Sequence, residues 1–450
     1  MQVMPGTAQA REQLAVKYGP LLSEQLEFGR LVTYVANKNQ PIFGWFRFKE
    51  GFSAQLVKEL VTNEWLLPQG SIILDPFAGC GTTLLTCQEL GYFAIGCDIM
   101  PIAVFVTQVK LSYGQLDLQK IESAAQELLS LECRSTGKSW PRVNIVDVAF
   151  DEETRGRALF YRDFILDVPD VHVRDFLMLA LLGSLEEASR TSKDGQFLRL
   201  VERPPEPLET VFRDKLQAML GDLRRVTVAG TSGSSNTRAH MAPGDARCLP
   251  NEIRNYAGKA SAIITSPPYL NRYDYSRTYA LELCLLCDQN GQPYVSDFED
   301  LKAIRHSLLR SHIESKPAPT DFVHIPALQE ILGNLQTRAL NNPRIPIMIK
   351  GYFEDMNLAI EQMATMLRPG GLVALVVANA RFEGELVPVD FILSEIAKTH
   401  GLVTTEVRVT RYKGNSSQQM GKYGRVPVRE SILFWRKDGA RKKSSPRTSV

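Results

Sequence analysis

Two short stretches carry residue types that can do chemistry. The first, residues 71–83, reads Ser-Ile-Ile-Leu-Asp-Pro-Phe-Ala-Gly-Cys-Gly-Thr-Thr. An apolar, β-branched run ends at Asp75. Gly79 and Gly81 then permit backbone angles and a close approach that a Cβ would forbid. A dinucleotide loop would need a third glycine at position 84, where Leu84 stands, and a P-loop would need Lys after Gly81, where Thr82 stands. What remains is a loop with an acidic entry, Asp75, suited to an ammonium. A second acidic strand end, Asp98, is suited to vicinal ribose hydroxyls through charge-assisted hydrogen bonds. The second stretch, residues 265–269, is Thr-Ser-Pro-Pro-Tyr. Its prolines fix φ and lack N–H groups, so the chain leaves its strand as a stiff loop with free carbonyl acceptors.

S-adenosylmethionine carries an ammonium and a ribose and no phosphate. Asp-Pro-Phe-Ala-Gly-Cys-Gly-Thr-Thr resembles motif I of the S-adenosylmethionine-dependent amino-methyltransferases that modify DNA, and Thr-Ser-Pro-Pro-Tyr resembles their catalytic motif IV. Ser before the two prolines is similar to the cytosine-N4 enzymes, whereas adenine-N6 enzymes more often have Asp or Asn there. The resemblance runs through residues 43–111, 237–275 and 345–437. It implies cofactor contacts along motif I at Asp75, Pro76, Phe77, Gly79, Gly81, Thr82 and Thr83, and at Asp98 and Ile99 on the next strand end. Phe52 and Ser53 resemble motif X, which touches the methionine end of the cofactor; Phe46 and Phe48 beside them read equally as core. Asp245 and Ala246, in Gly-Asp-Ala-Arg, resemble the block that accepts from the adenine amino group, and an ordinary Asp turn reads nearly as well.

The resemblance also implies a reaction. An exocyclic base amine is conjugated with its ring and a poor nucleophile. Acceptors gripping both its hydrogens localise the lone pair, and Ser266 with the Pro267 carbonyl are the candidates, ahead of Pro268. Tyr269 offers a face for a stacked base, worth ~1–3 kcal/mol. The target lies within a duplex, so it must be flipped out. No metal is needed.

These residues must be positioned by strands and helices. The expected fold is α/β, the class I Rossmann-like methyltransferase, with a seven-stranded mixed sheet and two mainly helical insertions. Ser53 reads as an N-cap, Gly91 as a helix C-cap, and Ala262 to Thr265 as the fourth strand. The chain divides into an N-terminal helical extension (1–42), the cofactor half (43–111), a helical insertion (112–236), the catalytic half (237–287), a second insertion (288–344), the rest of the sheet (345–437) and a basic tail (438–450). Motif I precedes motif IV, unlike the permuted order of many cytosine-N4 enzymes, so either insertion can hold the target recognition region. Residues 402–437 read as a hairpin with a long tip.

At 44% hydrophobic and 23% charged residues, the chain is an ordinary globular protein, and no apolar run is long enough to span a bilayer. The start, Met-Gln-Val-Met-Pro-Gly, lacks a signal peptide's apolar core, which reads as cytoplasmic. Seven scattered cysteines argue against a disulfide framework; Cys284 and Cys287 lie in an apolar helical pattern with no second pair, which reads as buried thiols rather than zinc. His306, His312 and His324 lack ligand-like grouping. Net charge is only +2, yet twelve basic residues face two acidic ones between positions 408 and 447. That local excess is the footprint of phosphate binding. Expected DNA contacts are Arg411, Lys413, Asn415, Ser416, Lys422 and Arg425 at the hairpin tip, and Lys193 and Arg199 flanking a polar turn in the first insertion. The sequence therefore reads as a double-stranded DNA cytosine-N4 methyltransferase using S-adenosylmethionine, partnered with a restriction endonuclease. Adenine-N6 methylation, RNA base methylation and an idle nucleic-acid binder are the alternatives.

Overall fold

A computed structural model describes residues 9–193, 198–228, 239–317, 324–414, 421, 424 and 426–439. Eight strands form the central sheet: β1 (Leu22–Glu24), β2 (Ile72–Asp75), β3 (Phe93–Asp98), β4 (His240–Pro243), β5 (Ala260–Thr265), β6 (Leu367–Ala378), β7 (Leu402–Lys413) and β8 (Val428–Lys437). Their spatial order is β1-β7-β8-β6-β5-β2-β3-β4. From β4 through β6 all neighbours are parallel, and β8 is antiparallel to both β6 and β7. The chain builds outward from β2 through β3 to β4, then returns to β5 on the other side of β2. That reversal opens a crevice at the carboxyl ends of β2 and β5, where ligands bind in open α/β sheets.

The expected seven strands are present, and an eighth adds to them: Leu22–Glu24 pairs in parallel with Val407, Arg408 and Val409 of β7. Three residues are too short for an alternation to show in sequence. The strand covers what would otherwise be an open edge. The rest of the N-terminal stretch is the helix Gln9–Tyr18 and short 3₁₀ turns rather than uniformly helical.

Both faces of the sheet are buried, which explains strands that are apolar throughout. In β6, Val373, Leu375 and Val377 pack toward the helices Ile345–Met366 and Val389–Thr399. Ala374 and Val376 pack on the opposite side, toward Leu56, Val57, Leu84 and Cys87 of the helices Ala54–Lys58 and Thr82–Glu89. The first insertion supplies the helices Leu118–Ser130, Asn144–Ala149, Glu152–Leu166, Val171–Ser184 and Leu208–Val228. Asp117, Asp151 and Asp170 cap three of them, each side chain accepting from backbone N–H groups of the first turn. These helices share one apolar cluster with Ile102, Val106 and Val109 of the helix Pro101–Leu111. The insertion is thus packed directly behind the cofactor half of the sheet.

Candidate active site

Ile73 and Leu74 of β2 pair with Ala262 and Ile263 of β5, so Asp75 and Thr265 finish side by side. The Thr265 hydroxyl donates to Asp75 Oδ1 at 2.6 Å, and the Phe77 N–H donates to the same oxygen at 3.1 Å. Asp75 therefore clips the two loops together, a role its sequence position did not announce. It is 2% exposed, and burial pushes its pKa up to about 6 against the bonds from Thr265, Thr83 and Phe77.

Beyond Asp75 the chain turns sharply. Gly79 has φ +51 and its N–H donates to Asp98 Oδ2 at 2.9 Å; a Cβ there would sit 3.2 Å from the Phe48 ring. Gly81 has φ +79, and a Cβ would lie 2.5 Å from the Thr107 methyl. Asp98 Oδ1 also accepts from Met100 N at 2.9 Å. The carboxylate that sequence assigned to a ribose thus also fixes the glycine loop and the turn leading into the following helix; burial raises its pKa against these backbone bonds.

One cavity, about 940 Å³ of empty space continuous with solvent, joins both loops. Its wall brings together ten of the thirteen expected cofactor residues: Phe52, Asp75, Pro76, Phe77, Gly79, Thr82, Asp98, Ile99, Asp245 and Ala246. Of the four expected catalytic residues, Ser266 and Pro268 line it as well, whereas Pro267 and Tyr269 lie outside its lining. Three expected cofactor residues lie behind the wall. Ser53 is fully buried and caps the helix Ala54–Lys58 by accepting from Leu56 N. Thr83 donates to the Ile264 carbonyl at 3.2 Å, fastening its helix to β5. Gly81 packs on Thr107. Asp245 reaches the cavity with its carboxylate already held by Arg247 through Nε and Nη2.

On the loop after β5, Ser266 Oγ donates to the Val376 carbonyl at 3.2 Å. Its hydrogen is engaged with the strand, which leaves its lone pairs as acceptors. Pro267 is buried and Tyr269 partly exposed. Lys413 Nζ lies 4.9 Å from the Tyr269 ring centroid. Arg411 and Lys413, expected to meet DNA, both pair with Glu430, itself 1% exposed, while their own side chains stay about one third exposed.

Sequence reasoning missed several residues of the wall. Phe48 lines the cavity and stacks on Tyr279 at 4.9 Å and on Tyr275 at 6.2 Å, whereas its neighbour Phe46 is core. Glu50 and Met100 line it too, as do Leu308, Leu309 and Ser311 from the second insertion. That loop is fastened by Arg310, which pairs with Glu354 and Asp355 of the helix Ile345–Met366. No local pattern signals such a long-range pairing.

Lys193 requires a correction. It is 3% exposed, ion-paired with Glu282 and lying over the rings of Phe46 and Tyr279 at 5.2 and 4.9 Å. A cation sealed beneath two aromatic rings cannot reach a phosphate. Arg199 is exposed on the short strand Arg199–Leu200. Asn415, Ser416, Lys422 and Arg425 lie outside the described residues. Cys284 is buried in the helix Ala280–Leu285, and Cys287 follows it half-buried, both as free thiols.

The chemistry of the wall selects the ligand. Carboxylates at Asp75, Asp98 and Asp245 would repel a pyrophosphate, while apolar Phe52, Phe77, Ile99 and Met100 suit an adenine and a thioether-like chain. The residues fit S-adenosylmethionine. A sheet of this order, with its antiparallel strand β8 between β6 and β7 and this cavity at the reversal, is the class I methyltransferase fold.

A family model described as DNA methylase, for N6 and N4 enzymes, matches residues 14–107. The type II methyltransferase M.BsoBI of Geobacillus stearothermophilus is 35% identical over 480 residues, covering 95% of this chain and 92% of that protein. The type II methyltransferase M.AvaI of Nostoc is 33% identical over 440 residues, covering 91% and 89%. The chain belongs to the N4/N6 family of type II DNA methyltransferases, with S-adenosylmethionine as methyl donor.

Proposed function

We propose that the enzyme methylates N4 of a cytosine flipped out of double-stranded DNA, as the modification partner of a restriction endonuclease. The choice of base rests on the residue type before Pro267, a serine as in the cytosine-N4 enzymes it resembles, and its hydrogen is engaged with the Val376 carbonyl. Its lone pairs and the Pro267 carbonyl then accept from the two amine hydrogens, which aims the nitrogen lone pair into the cavity. Tyr269, braced from one side by Lys413, stacks on the pyrimidine. Asp75 meets the ammonium of the cofactor and Asp98 its ribose. The bound cofactor supplies an electrophilic methyl group on a sulfonium. Phe48 and Tyr275 form an aromatic wall that keeps water from it.

The test is nucleoside mass spectrometry of unmodified DNA after incubation with enzyme and S-adenosylmethionine. N4-methylcytosine supports the proposal. N6-methyladenine moves the target to adenine with the same grip, and absence of any methylated nucleoside refutes it.

A further inference from the structure

We propose that Glu50 takes the proton released by the target amine during methyl transfer. This rests on the reading of the site as an amino-methyltransferase, and holds for either base. As the nitrogen lone pair forms the new N–C bond, the S–C electron pair stays on sulfur and the amine becomes cationic. One N–H proton must leave to restore the neutral base. The acceptors that grip the amine, a serine hydroxyl and a peptide carbonyl, cannot keep it. A carboxylate can, and passes it on to water as the product leaves.

Glu50 is placed for this. It lines the same cavity as Ser266 and Pro268. Its backbone stands at φ +59, a left-handed conformation uncommon for a residue with a side chain, and Gly51 follows it. Such strain persists where the surroundings over-determine it and tends to gather at working sites. Among the described residues no ion pair or hydrogen bond engages its side chain, although most cavity carboxylates are tied: Asp75 to Thr265, Asp98 to Gly79 and Asp245 to Arg247. Its charge lies close enough to act on Tyr269, Tyr273 and Tyr275 in the segment after β5 and on Arg411 of β7. It thus sits toward the catalytic tyrosine.

The experiment compares wild type with Glu50→Gln and Glu50→Asp in single-turnover methyl transfer across pH 5 to 9, with cofactor affinity measured by calorimetry and base flipping by 2-aminopurine fluorescence. The expected result is a Glu50→Gln rate at least tenfold below wild type at neutral pH, with partial recovery in Glu50→Asp and unchanged cofactor affinity and flipping. A Gln variant within twofold of wild type throughout would overturn the proposal, as would a loss confined to cofactor affinity. The nature of the methylated nucleoside, read from the same reactions, tests the choice of base separately.

Discussion

Replacing Asp75 by Asn isolates the electrostatic cost of the loop clip. The carboxyl is buried, and its pKa rises from an ordinary 3.8 to about 6, chiefly through burial. Between those values the folded protein holds a proton that the unfolded chain has released, so stability falls as pH rises through the window and the full penalty stands above about pH 6. That rise in pKa corresponds to ~3 kcal/mol. Asn keeps an Oδ1 to accept from Thr265 and Phe77 and carries no charge. The ligand-free Asp75→Asn variant should therefore exceed wild type by ~3 kcal/mol at pH 7.5 and by only ~1 kcal/mol at pH 4.5. For a chain of this length that is roughly 3 °C in Tm at the higher pH. Thermal melts of both proteins at the two pH values give the answer. A variant that melts at or below wild type at pH 7.5, or an advantage that does not shrink on acidification, would refute the burial argument. Wild type, in turn, should release a proton when an ammonium-bearing cofactor binds near pH 6, visible as a buffer-dependent binding enthalpy; Asp75→Asn should not.

Lys193→Ala should destabilise the fold by ~3–5 kcal/mol, because it strands Glu282 as a buried charge, and the surviving folded protein should keep the wild-type salt dependence of DNA binding. Gly79→Ala drives a Cβ toward Phe48 at an unfavourable φ and should weaken cofactor binding at least tenfold in calorimetry, with the melting profile little changed. Asp98→Ala should abolish cofactor affinity while DNA binding stays largely intact in a gel-shift assay. Tyr269→Ala should spare cofactor binding and stop turnover in a methyl-transfer assay.

The continuous apolar run that ends at Asp75 and the acid-ended turns after β2 and β3 are local, and they made the sheet and its cofactor crevice legible from sequence. The pairing of β2 with β5 was not local, so the Asp75–Thr265 contact appears only in three dimensions. The short strand Leu22–Glu24 was invisible because its pairing with β7 spans nearly the whole chain. Lys193 was misread for a related reason: a basic residue near a polar turn looks solvated in sequence, and its partner Glu282 lies 89 residues away. Arg411 and Lys413 show the intermediate case. Their charge was legible, but the buried Glu430 that holds them was read only as an offset to a net count.

A structure of the enzyme with S-adenosylhomocysteine and a duplex carrying its recognition site is the most direct trial of the shared cleft. The expected result is the cofactor sulfur lodged in the cavity between Asp75 and Asp98, with the flipped base stacked on Tyr269 and its exocyclic amine within hydrogen-bond reach of Ser266 Oγ. A base housed away from Ser266, or a cofactor bound elsewhere on the molecule, would contradict it.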